Sequence, residues 1–227
     1  MKKAVLFDLG NTLVQYYERA EFPALLQEGI ARVAERLRAD GLLRVDSDTV
    51  RRRVAAENHE AADHKVRPME ERLGRIFEVH DVVAEGLCAG FMDPIFRIAR
   101  VYEETVPVLE TLRARGITTG LVSNTPWGSP ALLWREELRR LGLYSRIDHA
   151  VFCRDVGWRK PDKRIFDFAL ERVGVAASDC LYVGDNPRWD RAGPATVGMG
   201  SVLVERGDYA PDGGPSIRQL RDLLRRV

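Results

Sequence analysis

Residues 4–12 read AVLFDLGNT and place one carboxylate directly after a short apolar run. The run AVLF has the composition of a buried strand in a parallel sheet, and Asp8 follows at its carboxyl end. Two residues further on, where a second carboxylate would complete an acid and base pair, the chain has Gly10. Any chemistry at Asp8 therefore depends on partners from other parts of the chain.

Four further apolar runs resemble AVLF in length and composition, and they occupy residues 117–122, 150–152, 181–183 and 201–204. Between them lie predicted helices that each end in glycine, at 107–116, 132–142 and 161–174. Residues 217–227 are expected to form a closing helix. Strands that alternate with helices predict an α/β fold built on an open parallel sheet.

Residues 16–104 have a different hydrophobic pattern and contain no apolar run that resembles the predicted strands. Their amphipathic stretches predict four helices, with breaks near Gly41, Pro68 and Gly86. We therefore expect an all-helical insert directly after the first strand. The α/β domain around it would comprise residues 1–15 and 105–227.

The composition indicates the cellular location and excludes some classes of binding partner. The net charge is +1, from 35 basic and 34 acidic residues, which gives no electrostatic case for binding nucleic acid or an anionic membrane. No segment approaches the roughly 20 apolar residues of a membrane span, and Asp8 interrupts the first apolar run too early for a signal peptide. The three dispersed cysteines indicate a reducing, cytoplasmic setting. We expect a monomer or a homodimer.

Polar residues follow three of the predicted strands, at Asp8, Ser123-Asn124 and Asp185. Ligands of open α/β sheets bind beyond the carboxyl ends of the strands, and Lys160 can reach the same crevice. Two facing carboxylates call for a hard cation such as Mg²⁺, while Ser123, main-chain N–H groups and Lys160 suit an anion. Together they predict a site for a small phosphorylated molecule, in which a carboxylate attacks phosphorus to form an aspartyl phosphate.

Four motifs carry a resemblance to a known family: DLGNT (8–12), LVSNT (121–125), RKPD (159–162) and GDNPRWD (184–190). In this order they resemble the signature motifs of the haloacid dehalogenase superfamily, and the helical insert stands where that superfamily carries its first type of cap. The resemblance implies a Rossmann-like core under a cap of four helices.

The same resemblance assigns roles to single residues. Asp8 would be the nucleophile, and Ser123, Asn124 and Lys160 would hold the phosphoryl group, with Lys160 also part of the catalytic set. Magnesium would be bound by Asp8, Asp185 and the main-chain carbonyl of Gly10, and Asp190 would support that metal site.

Gly10 departs from the family pattern. Most phosphatases and mutases of the superfamily have an aspartate there, which protonates the leaving group and then activates water. Loss of such a group costs typically about 10²–10⁴-fold in rate and favours good leaving groups, such as an acyl phosphate or an aryl phosphate. His59 and His64, in the predicted cap, are a hypothetical replacement for it.

Three functions fit these observations. The first is a Mg²⁺-dependent phosphatase of small phosphorylated metabolites. The second is a 2-haloacid dehalogenase, which also lacks the second aspartate, attacks carbon and needs no metal; Asp185 argues against it, since this residue makes sense as a metal ligand. The third is a weak or inactive relative that binds phosphate as a switch.

Overall fold

A parallel sheet forms the centre of the fold. The computed structural model describes residues 2–58, 61–206, 209 and 213–227. The six strands of the sheet are β1 (Ala4–Phe7), β4 (Thr118–Ser123), β5 (His149–Phe152), β6 (Cys180–Gly184), β7 (Gly200–Val204) and β8 (Ser216–Ile217). They pair in the order β5-β4-β1-β6-β7-β8, and all neighbours are parallel. Two further strands, β2 (Val14–Gln15) and β3 (Arg100–Val101), pair with each other outside this sheet. The predicted α/β class with an open parallel sheet is confirmed.

Helices pack on both faces of this sheet, and its central strand β1 is therefore buried on both faces. Within β1, Val5 and Phe7 pack into one apolar cluster, while Ala4 and Leu6 pack into another around Phe166. The helices of this part of the chain are α5 (Thr105–Ala114), α6 (Ala131–Arg140), α7 (Cys153–Val156), α8 (Lys163–Val173) and α9 (Gly193–Ala195). None of the described helices is long and apolar enough to cross a membrane.

The end of the chain differs from the prediction. Residues 217–227 do not form the expected helix: the chain adds the edge strand β8 to the sheet and then a short 3-10 helix, Leu220–Arg225. Tertiary contacts override helix propensity here. Ile217 is buried beside β7, and the main-chain N–H of Leu220 donates to Glu104 Oε1 at 3.0 Å.

The described residues between β2 and β3 form a short 3-10 helix, Arg19–Glu21, and four α-helices: α1 (Phe22–Ala39), α2 (Ser47–Ala56), α3 (Met69–Phe77) and α4 (Asp81–Arg97). Two predicted breaks coincide with helix ends, at Gly41 and Pro68. The predicted break at Gly86 is wrong, because this residue lies inside α4. The chain turns earlier, where Glu78 takes a left-handed conformation (φ 56°) and closes α3.

A two-stranded ribbon joins the helical layer, here called the cap, to the sheet. β2 and β3 pair antiparallel, with Val14 opposite Val101, where the chain leaves the sheet and where it returns. The short strand β3 falls within the segment predicted to be all-helical. The side chain of Thr105 fixes the return by donating to the carbonyl of Leu13 at 2.7 Å.

The cap also touches the core away from the ribbon. The main-chain N–H of Val66 donates to the carbonyl of Gly157 at 2.9 Å, and Arg154 pairs with Glu70 at 2.6 Å. Gly128 approaches still more closely: a Cβ on it would lie 2.1 Å from the carbonyl oxygen of Arg67. The segment around residues 64–70 is therefore held against two loops of the core.

The glycine at position 128 allows a test of this contact. Gly128→Ala should lower the free energy of unfolding by more than Gly116→Ala, since both residues have φ +69° but a Cβ at Gly116 meets nothing within 4 Å. We expect about 1–2 kcal/mol for Gly116→Ala, from the left-handed backbone alone, and at least about 1 kcal/mol more for Gly128→Ala, from overpacking. Urea unfolding of both variants measures the difference, and equal losses would contradict a firm contact between cap and core.

Candidate functional site

The sheet brings the predicted site residues to one edge. In the register of the sheet, Phe7 of β1 lies between Leu121 and Val183, so Asp8 emerges between the ends of β4 and β6. The main-chain N–H of Asp8 continues the pairing by donating to the carbonyl of Val183 at 2.8 Å. Ser123 ends β4, and Asp185 directly follows β6. The three side chains predicted from strand ends therefore face one crevice.

Lys160 lies in the centre of this group and is fully buried. Its ammonium is 2.9 Å from Asp8 Oδ1 and 2.6 Å from Asp190 Oδ1, and it donates to the hydroxyl of Tyr182 at 2.9 Å. Tyr182 in turn donates to the carbonyl of Val122 at 2.7 Å. Burial lowers the pKa of Lys160, but the carboxylates of Asp190 and Asp8 outweigh that effect and raise it well above its usual value. The lysine is therefore a permanent buried cation.

Asp190 shapes the loop that follows β6. Its Oδ2 accepts from the main-chain N–H groups of Asp185 at 3.1 Å and Asn186 at 3.0 Å. Gly184 makes room for this arrangement, because a Cβ there would lie 2.3 Å from the Asp190 carboxyl group. Asp190 thus fixes Asp185 through the main chain, while its other oxygen accepts from Lys160.

Three carboxylates meet in a volume that fits a cation. Asp8, Asp185 and Asp190 each offer one oxygen, and these oxygens all lie within 4.8 Å of one another. Burial raises the pKa of Asp185 well above its usual value, and the neighbouring carboxylates of Asp190 and Asp8 raise it further. Burial also raises the pKa of Asp190, to about 6, although Lys160 opposes this. A divalent cation would neutralise this repulsion, and oxygen donors of this kind suit hard cations.

Asn124 braces Lys160 through two hydrogen bonds. Its Oδ1 accepts from the main-chain N–H of Lys160 at 2.8 Å, and its Nδ2 donates to the carbonyl of the same residue at 3.2 Å. One amide hydrogen of Asn124 remains for a ligand. Among the described residues, the hydroxyl of Ser123 donates only to the carbonyl of Asn124, at 3.2 Å, which is a long bond that a phosphate oxygen can displace. The phosphate-binding roles of both residues stay predictions.

A cavity of about 560 Å³ opens above these groups. Its floor includes Asp8, Gly10, Ser123, Asn124 and Asp185, while Lys160 and Asp190 lie beneath. The described wall also contains charged residues that sequence reasoning did not single out: Glu18, Arg67, Arg72, Arg159 and Arg188. The first three come from the segment after the ribbon, from the stretch before α3 and from α3 itself, where no local motif marks them. Arg159 and Arg188 lie within the RKPD and GDNPRWD motifs, which were chosen for other residues.

Tryptophan side chains line part of the cavity, whereas His64 does not. Trp127 and Trp134 line it, whereas Trp158 does not. Arg72 lies over the Trp127 ring at 5.6 Å and donates to Glu57 Oε2 at 2.5 Å. His64 is not among the lining residues, and its carbonyl accepts from the main-chain N–H of Arg159 at 2.8 Å. The structure therefore gives no support for His64 as a proton donor, and His59 lies outside the described residues.

The buried lysine predicts a pH-dependent loss of stability. Lys160→Met should lower the free energy of unfolding in EDTA by about 3–5 kcal/mol, because Asp8 and Asp190 lose their cation. Unpaired buried carboxyl groups have a raised pKa in the folded state, so the folded variant binds more protons than the unfolded chain, and its deficit should shrink as the pH falls. Urea unfolding at about pH 8 and about pH 5 measures the change.

The matched control for this experiment is Lys163→Met. Lys163 is an exposed lysine three residues along the chain that pairs with Asp167 on the surface. An exposed pair contributes at most about 1 kcal/mol, so this variant should lose little at either pH. Similar losses in the two variants, or a Lys160→Met deficit that grows on acidification, would contradict the assigned pairing.

Comparison with known proteins places this site in a family. Residues 2–198 match the family described as haloacid dehalogenase-like hydrolase. The chain is 29% identical to the glyceraldehyde 3-phosphate phosphatase of Methanopyrus kandleri, over 92% of this chain and 86% of the relative. It is 33% identical to the phosphoglycolate phosphatase of Rhodospirillum rubrum, over 91% of this chain and 81% of the relative.

Two solved structures are similar over nearly the whole length. A HAD phosphatase from Thermococcus onnurineus superposes with a TM-score of 0.70 at 25% identity, covering 98% of this chain and 96% of that one. A 2-haloacid dehalogenase from Pseudomonas syringae gives the same TM-score and identity, covering 100% of this chain and 99% of that one. The resemblance first drawn from four motifs is thus confirmed, and the chain is an enzyme of the haloacid dehalogenase-like hydrolase family.

Proposed function

We propose that this enzyme is a Mg²⁺-dependent phosphatase of small phosphorylated metabolites that acts through an aspartyl phosphate on Asp8. The observation that carries the proposal is the charge imbalance at the floor of the cavity. Three buried carboxylates, Asp8, Asp185 and Asp190, share the single ammonium of Lys160 beneath the floor. A site built to hold a divalent cation has this imbalance before the cation binds.

The residues of the chain divide the work as follows. Asp8 attacks phosphorus, and its carboxylate is held in place by Lys160 at 2.9 Å. Ser123 and Asn124 are donors for the phosphoryl oxygens, and Lys160, whose ammonium already contacts Asp8, Asp190 and Tyr182, holds the phosphoryl group through its positive charge. Asp8, Asp185 and the Gly10 carbonyl would hold Mg²⁺, with Asp190 supporting the site, and the cation would supply positive charge against the phosphate. Positioning and charge neutralisation of this kind provide most of the rate in phosphoryl transfer.

The names of the relatives support a small phosphorylated substrate. Glyceraldehyde 3-phosphate, phosphoserine and phosphoglycolate name the substrates of curated relatives. A cavity of about 560 Å³ has room for a molecule of that size with its phosphate at the floor. The three cysteines are free and buried, which supports the cytoplasmic location inferred from the sequence.

A 2-haloacid dehalogenase is the second candidate. Its support is the structural similarity to a dehalogenase and the missing aspartate at Gly10. Asp185 argues against it, since a reaction that needs no metal gains nothing from an uncompensated carboxylate beside the nucleophile. The third function, a phosphate-binding switch, would leave a long-lived phosphate on Asp8.

Substitution of the nucleophile tests the proposal. Asp8→Asn should reduce the release of phosphate from a panel of phosphorylated metabolites and from para-nitrophenyl phosphate by about 10⁴-fold or more, because no attacking carboxylate remains. EDTA should abolish the wild-type activity, and Mg²⁺ should restore it. The measured quantity is inorganic phosphate released per unit time.

Asp167→Asn is the control, since Asp167 lies on the surface of α8 and pairs with Lys163. It should leave the rate unchanged. Release of halide from a 2-haloacid in the presence of EDTA, together with no phosphatase activity in the wild type, would overturn the proposal in favour of the dehalogenase.

A further inference from the structure

The enzyme needs a proton donor that Gly10 cannot provide. An alkoxide leaving group takes up a proton as it departs, and water must lose one when it attacks the aspartyl phosphate. The inference that follows rests on the proposed function. It concerns which residue of the cavity does this work.

Carboxyl groups are scarce in the described wall of the cavity. Those lining it belong to Asp8, Asp185 and Glu18. The first is the proposed nucleophile and the second a proposed metal ligand. Asp190 lies beneath the floor, where Lys160 and two main-chain N–H groups occupy its oxygens. Glu18 is therefore the one lining carboxyl group, among the residues described, with no assigned task.

Glu18 has a fixed main chain and an unpaired charge. It follows the ribbon strand β2 by three residues, on the segment that leads into the cap. Its N–H donates to Glu21 Oε2 at 2.7 Å, and its carbonyl accepts from the N–H of Glu21 at 2.9 Å. Its side chain forms no ion pair with any described residue, and the residue is half-buried.

Glu18 and Asp185 line the same cavity, and Asp8 lines it as well. Burial raises the pKa of Tyr102, and the guanidinium of Arg206 opposes this. The carboxylates of Asp185 and Glu18 both raise that pKa further.

Two tyrosines of the cavity, Tyr16 and Tyr209, are less suited to the task. Burial raises the pKa of Tyr16 well above its usual value, and the Tyr209 pKa is raised for the same reason. A phenol that holds its proton more tightly is a poor acid near neutral pH. His64 does not line the cavity.

We propose that Glu18 is the catalytic acid and base of this enzyme, in place of the residue missing at Gly10. In the first step an oxygen of Asp8 bonds to phosphorus and the bond from phosphorus to the leaving oxygen breaks. The leaving oxygen keeps the electron pair and takes the proton of Glu18, which gives a free alcohol. In the second step Glu18 takes a proton from water, the water oxygen bonds to phosphorus, and the bond to Asp8 breaks, which restores both carboxyl groups and releases phosphate.

The leaving group provides the test. An aryl oxide departs without taking up a proton, whereas an alkoxide takes up a proton as it departs. Glu18→Gln, in the full chain with Mg²⁺, should lower kcat for glycerol phosphate by about 10²–10⁴-fold. For para-nitrophenyl phosphate, the rate of aspartyl phosphate formation is measured as the burst of nitrophenol. The substitution should change this rate by less than about threefold, because no proton transfer assists that step. Losses of equal size in the two reactions, or no loss in either, would overturn the assignment.

Two further variants separate proton transfer from a structural role. Glu21→Gln keeps an acceptor for the N–H of Glu18 and removes a carboxylate that does not line the cavity, so both substrates should react at the wild-type rate. Glu18→Gln combined with Gly10→Asp should recover turnover of glycerol phosphate. The new side chain has room, because a Cβ at Gly10 would meet no atom closer than Tyr16 Cδ2, at 3.9 Å.

The result also separates this inference from the proposed function. A wild-type enzyme that hydrolyses both phosphates, with Glu18→Gln equally active on each, contradicts the role of Glu18 and leaves the phosphatase intact. A wild-type enzyme that hydrolyses neither contradicts the phosphatase itself, and with it the role of Glu18.

Discussion

The buried ammonium of Lys160 is the constraint on which the site depends. A charge removed from water costs several kcal/mol unless opposite charges and hydrogen bonds surround it. Asp8, Asp190 and the Tyr182 hydroxyl provide these at 2.9, 2.6 and 2.9 Å. The three partners come from β1, from the loop after β6 and from β6 itself. Pairing this one cation therefore fixes how the central strands and the loop before α8 meet.

The ammonium of Lys160 leaves part of the negative charge of the site unbalanced, and a bound ligand can balance it. One ammonium does not balance the three carboxylates of Asp8, Asp185 and Asp190, and the ion pairs of Lys160 are with Asp8 and Asp190. Burial and these neighbouring carboxylates raise the pKa of Asp185. A divalent cation would restore the balance, and the phosphate of a substrate would then meet no excess negative charge at the floor. Fold stability and ligand binding are linked through these side chains.

The walls of the cavity have a different origin from its floor. The floor is made of residues at strand ends, which the sheet holds rigidly, whereas Glu18 and Arg67 come from segments that join the cap to the core. The close contact between Gly128 and the Arg67 carbonyl keeps one of these segments against the core. In the proposed mechanism, attack at phosphorus and protonation of the leaving group would thus involve separate parts of the fold.

The sequence by itself determined the open parallel sheet, the position of the helical layer and the residues of the floor. Apolar runs identify buried strands, and residues next to them in sequence must lie at the strand ends, so Asp8, Ser123 and Asp185 followed from local patterns. Local patterns failed at Gly86, where the helix continues, and at residues 217–227, where edge pairing in the sheet and burial of Ile217 overrode helix propensity.

Only the tertiary structure decided the contacts between residues far apart in the chain. That Lys160 pairs with Asp190, that Asn124 braces Lys160, and that Glu18 shares a cavity with Asp185 depend on how separate elements pack. No sequence period or motif encodes such contacts, because each side chain meets its partner through the folded chain and not along it. The proposed nucleophile was therefore identified from the sequence, whereas the proposed proton donor was identified only in the fold.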